Sequence, residues 1–122
     1  MALVCRGLRG ATTALDNTRE AVLEATRDLL ERLVEANDLK TEDLAATFFT
    51  TSPDLNAEFP AVAARQMGWE YVPLICGHEM SVPTGLSLCI RVMVLVNTEK
   101  RPEDMAHLYL RDARNLRSTG IN

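Results

Sequence analysis

Polar and apolar positions along this chain repeat with two periods, and each period predicts its own kind of element. Between Leu88 and Val96, Leu88, Ile90, Val92, Val94 and Val96 alternate with Cys89, Arg91, Met93 and Leu95. A period of two predicts a strand with one unbroken aliphatic face and one mixed face that carries Arg91. Ala2 to Arg9 is a shorter segment of the same kind: Val4, Arg6 and Leu8 point one way, and Leu3, Cys5, Gly7 and Arg9 the other. The following GATT is expected to turn the chain. Behind it, Val22, Ala25, Leu29, Leu33 and Ala36 recur at helical spacing and predict a helix over about Thr18 to Ala36, opened by Asn17 with Glu20 and closed at Asn37.

Shorter signals fill the remainder. KTEDL reads as one helical turn, and Leu44 to Thr51 as a strand of aromatic and β-branched residues. A second helix is expected from Pro60 to a stop at Gly68, then strands over Trp69 to Ile75 and Tyr109 to Leu116, with a turn at Pro102-Glu103-Asp104. CGHEMSVPTG is expected to be a loop. The order is β-α-β-α-β-β and then mixed. It predicts an α+β fold, a single domain over residues 1–122, with the helices on one face of a mixed sheet.

Composition narrows the class of partner. With 13 basic against 17 acidic residues the net charge is −4, which argues against nucleic acid. No apolar stretch is long enough to cross a bilayer, and arginine comes too early in MALVCRGLRG for a signal peptide, so a soluble cytoplasmic protein is expected with no membrane partner. Cys5, Cys76 and Cys89 are odd in number, widely spaced and without a CxxC pair, which predicts neither a disulfide framework nor a metal site.

Arg91 is the residue that asks for chemistry. A guanidinium stays charged in a protein and is costly to bury alone. Glu79 is the nearest acid in sequence, in the loop before the strand. The pair is either an internal salt bridge or the two poles of a site completed by an anionic ligand. Arg9, beside Gly10, could join that site, since a glycine lets a ligand approach the backbone. Arg65 on the second helix could be a third cation or a solvated residue. Together they would suit a small dicarboxylate. Cys76 lies near His78 but reads as a buried structural thiol, and His78 and His107 as exposed or locally hydrogen-bonded. No nucleophile elbow, phosphate loop or dinucleotide fingerprint occurs.

RGLRGATT, SPDLNAEFPAVAAR, WEYVPLICGHEM, CIRVMVLVNT and HLYLRDARNLR occur in an order and spacing that resembles the monofunctional chorismate mutases of the AroH class, from about Leu3 to Arg117. The resemblance implies a homotrimer whose sheets surround a pseudo-barrel core, with active sites between neighbouring subunits. The reaction would be the Claisen rearrangement of chorismate to prephenate on the route to phenylalanine and tyrosine, with no cofactor and no metal. It implies catalytic roles for Arg91 at the ether oxygen, Glu79 at the substrate hydroxyl, Arg9 at a carboxylate and Tyr109 at the side-chain carboxylate or ether end. Cys76 would line the pocket, Phe59 and Leu116 would form apolar walls, and Arg65 would sit at the rim. Val62 departs from the pattern, since some relatives carry a charge there, and a chain ending at Asn122 leaves only a short C-terminal lid. The rival expectation is a trimeric protein of related fold, deaminase-like, that binds small carboxylates without mutase activity.

Overall fold

A computed structural model describes residues 2–116, so the expected C-terminal lid falls outside the described residues. The chain forms β1 (Val4–Thr13), α1 (Arg19–Asn37), β2 (Leu44–Thr51), α2 (Ala61–Gln66), β3 (Leu74–His78), β4 (Cys89–Thr98) and β5 (Leu108–Tyr109), with 3₁₀ turns at Thr41–Asp43, Pro102–Asp104 and Arg111–Asn115. The sheet order is β3-β2-β4-β1-β5. β4 is antiparallel to both β1 and β2, while β3 and β5 run parallel to β2 and β1. This is the mixed α+β fold expected, and both helices lie on one face.

The period-two pattern of β4 decides that arrangement. Ile90, Val92, Val94 and Val96 are buried, whereas Arg91, Met93 and Leu95 are only partly so. Leu29, Leu30 and Leu33 of α1 and Ala64 of α2 pack against the aliphatic side together with Leu8 and Phe49. Gly10 lets α1 approach this closely: a Cβ there would stand 2.9 Å from Leu33 Cδ1 and 3.1 Å from Leu29 Cδ1. Its missing side chain therefore serves helix packing, while its backbone borders the cavity on the opposite face.

Four expectations are corrected. GATT does not turn. β1 runs on through it because Gly10 to Thr13 have ladder partners in β4, down to Thr13 opposite Cys89. Helix α1 is capped by Thr18, whose Oγ1 accepts from the Ala21 amide at 3.2 Å. Asn17 instead accepts the amides of Asn56 and Ala57, both at 3.0 Å, and so ties down the loop after β2. The third strand starts at Leu74 instead of Trp69. Trp69 is drawn into the core, and Arg65 Nη1 donates to the carbonyls of Trp69, Glu70 and Val72, taking acceptors that a ladder would need. The strand consequently takes in Cys76, Gly77 and His78. Finally, the last strand is only Leu108–Tyr109: Arg111 has φ 54, and the chain turns there into its 3₁₀ segment.

Candidate active site

Ladder register fixes which side chains share the face of the sheet that the helices leave open. Arg91 lies opposite Ala11 of β1 and Thr50 of β2, and Arg9 lies opposite Met93. Tyr109 pairs with Ala11 from the other edge. Directly opposed residues project to the same side, so Arg9, Thr50, Arg91 and Tyr109 rise from one face of four adjacent strands.

Glu79 reaches this group from just beyond β3. Its amide donates to the Thr51 carbonyl at 2.7 Å, which carries the β2 pairing one residue past the strand. Its carboxylate Oε2 accepts from Thr50 Oγ1 at 2.5 Å and lies 3.6 Å from Arg91 Nε. That ion pair is too long for a direct hydrogen bond, and the side chains keep 21% and 33% of their accessible surface, so it is not a closed internal salt bridge. Arg9, Phe48, Thr50, Glu79, Arg91 and Tyr109 are among the walls of a cavity of about 190 Å³. Arg91 and Glu79 also border a second cavity, of about 480 Å³, under the loop between β3 and β4.

The entry to β4 is held by side chains that the sequence pattern did not single out. Leu88 sits at φ 51, and its amide donates to both carboxylate oxygens of Asp54, at 3.2 and 3.1 Å. Ser52 Oγ donates to Asp54 Oδ1 at 2.5 Å and accepts from the Cys89 amide at 2.9 Å. Ser52 and Asp54 are thus a clamp that sets the start of the strand bearing Arg91. On the far edge, the Arg9 amide donates to His107 Nδ1 at 3.0 Å, which places the proton of the neutral imidazole on Nε2 and anchors β5, with Tyr109, beside Arg9.

The other expected site residues lie elsewhere in the chain. Cys76 pairs with Phe49, on the helix-covered side, and burial pushes its thiol up, toward the neutral form. It lines a third cavity of about 330 Å³ together with Phe59, which is two-thirds exposed. Arg65 binds backbone carbonyls as described above. Leu116 is buried with Ala11, Cys89 and Ala113, closing one end of the open face from within the chain. Val62 is half-buried on α2. His78 is exposed and meets Thr51 Oγ1 at 3.0 Å. Thr50 was not anticipated. The available signal was the alternation of LAATFFTT, which places Thr50 on the mixed face once its register with Arg91 is known.

Chemically, the cleft offers two fixed cations, one carboxylate held by a hydroxyl, and a phenol. Among the described residues no cluster of His, Cys, Asp and Glu could hold a metal ion, and no helix is long and apolar enough to cross a membrane. Such a set binds and polarises an anionic molecule.

Residues 5–119 match the family model for chorismate mutase type I. Two relatives named chorismate mutase AroH are similar over nearly their whole length. The one from Bacillus subtilis is 45% identical over 109 residues, 88% of this chain and 86% of the relative. The one from Thermus thermophilus is 47% identical over 113 residues, 92% and 93%. A solved chorismate mutase from Clostridium thermocellum superposes with a TM-score of 0.86 at 46% identity, covering 88% of this chain and 96% of the other.

Proposed function

Since the chain belongs to the type I chorismate mutase family and is an isomerase that rearranges chorismate to prephenate, we propose a role for each group in the open-face cleft. The observation that carries the assignment is the convergence of Arg9, Glu79, Arg91 and Tyr109 on one cavity from four separate segments. Arg91 donates to the ether oxygen of chorismate. As the C–O bond breaks, negative charge grows on that oxygen, so a preorganised guanidinium binds the transition state better than the substrate. Arg9 holds a substrate carboxylate, and Tyr109 orients the side-chain carboxylate end. Glu79 accepts from the substrate hydroxyl and faces the ring as positive character develops there. No covalent intermediate is required.

The assembly is a homotrimer with sites between subunits. Phe48 and Ile75, on the open face, are 43% and 60% exposed, which favours burial against another copy. Cys76 and Phe59, which line a separate cavity of their own chain, meet substrate held by a neighbouring subunit, Arg65 does so by releasing the carbonyls of Trp69, Glu70 and Val72, and Leu116 walls the site. The enzyme works in the cytoplasm, in phenylalanine and tyrosine synthesis. The rival, a deaminase-like carboxylate binder without mutase activity, is set aside by the family match. Light scattering on the purified, active chain tests the assembly. The expected mass is three times 13.5 kDa, and a fully active species of one chain would overturn the shared site.

A further inference from the structure

We propose that Thr50 is a positioning residue for Glu79, a role that rests on the assignment of Glu79 to the substrate hydroxyl. The two carboxylate oxygens of Glu79 are not equivalent. Oε2 accepts from Thr50 Oγ1 at 2.5 Å and is the oxygen 3.6 Å from Arg91 Nε. No further hydrogen bond to the carboxylate is made among the described residues. The protein thus commits Oε2 and leaves Oε1 without a hydrogen bond from the described residues, on a side chain that lines the cleft.

Covalent geometry explains why a hydroxyl is needed there. Glu79 lies beyond the last paired residue of β3, with three rotatable bonds between its backbone and its carboxylate. The amide bond to Thr51 fixes its Cα but not the carboxylate. Arg91 attracts it without choosing an orientation, because the ion pair is long and partly solvated. Thr50 stands on β2 directly opposite Arg91, with its own backbone held on both sides by β4 and β3. Its Oγ1 is a donor on a rigid element, and a side chain locked in this way keeps a catalytic group within reach of its working geometry. Arg91 then remains aimed at the bond that breaks, because Thr50 shares the task of holding the carboxylate.

The test is a cycle of variants assayed on chorismate by ultraviolet absorbance. Thr50→Val keeps the β-branched shape and removes the donor, and kcat/KM is expected to fall by about tenfold. Thr50→Ser keeps the donor and is expected to stay within about twofold of the parent, while Thr50→Val in a Glu79→Ala background is expected to cost less than about twofold more, since its effect passes through Glu79. Equal losses in Thr50→Ser and Thr50→Val would overturn the proposal, as would an undiminished loss in the Glu79→Ala background. Parental activity in Thr50→Val beside a crippled Glu79→Ala overturns the positioning alone. Parental activity in Glu79→Ala removes the role of Glu79 itself.

Discussion

The two faces of β4 share one backbone and one ladder, yet they reach stability by different routes. On the helix side, Ile90, Val92, Val94 and Val96 are 0–3% exposed and are covered entirely by elements of the same chain. On the open side, Arg91, Met93 and Leu95 remain partly exposed, beside Phe48 and Ile75. The first face is closed by non-directional burial, which needs only apolar area and a fit. The second holds charges whose partners are set by register, at 2.5 Å for Thr50 with Glu79 and 3.6 Å for Glu79 with Arg91. A chain that buries one side of a strand completely can leave the other side for chemistry, because folding no longer depends on it.

The largest effect should therefore come from the open side and leave folding alone. Arg91→Ala is expected to lower kcat by about a hundredfold or more, in line with roughly 3–4 kcal/mol for one well-aimed donor. The melting midpoint should stay close to the parent's, because the Arg91 side chain keeps 21% of its accessible surface and its ion pair, at 3.6 Å, is loose. Arg91→Lys should recover only part of the loss, since an ammonium places its donors differently. A variant that instead unfolded, or turned over normally, would erase the contrast between the faces.

Two glycines of β1 sharpen it further. Alanine at Gly10 would press on Leu33, Leu29 and Val92 at 2.9 to 3.2 Å, on the helix side. Gly10→Ala is expected to lose about 1–3 kcal/mol by urea titration. Alanine at Gly7 would meet the Met93 Sδ at 3.2 Å, the end of a flexible side chain on the open side, and touch Leu95 Cδ2 at an ordinary 4.0 Å, so Gly7→Ala should cost clearly less. A larger loss at Gly7 than at Gly10 would mean that another copy covers the open face more tightly than the helices cover theirs.

The same division explains what could be read in the sequence. Alternation located Arg91 on the mixed face of its strand, and the helical period located the face of α1, because both patterns are local. Glu79 was legible as the nearest acid. Its partner Thr50 was not, since their meeting depends on how β2 and β3 align with β4. The third strand was placed too early because its apolar run begins at Trp69, and only the fold brings the Arg65 guanidinium onto the carbonyls there. The continuation of β1 through GATT was hidden for the same reason: a stretch opened by a glycine stays extended when a neighbouring strand supplies its ladder.

Cys89 marks the boundary between the two faces and gives the smallest of the expected effects. By alternation it belongs to the open side with Arg91, yet it is 3% exposed, packed with Ala11, Ala113 and Leu116. Burial pushes its thiol above the ordinary value of 9.0, and the nearby Arg91 charge offsets only part of that. A group that holds its proton more tightly when folded adds stability that is whole below the unfolded value, and that fades as pH rises through the folded one. Below pH 9 the stability difference between the parent and Cys89→Ala should thus be constant, and above it the difference should shrink. Urea midpoints of both chains across that range would measure it. A difference that grew with pH would mean that the thiolate is the favoured form, and that Arg91 dominates this corner of the sheet more strongly than the packing around the sulfur.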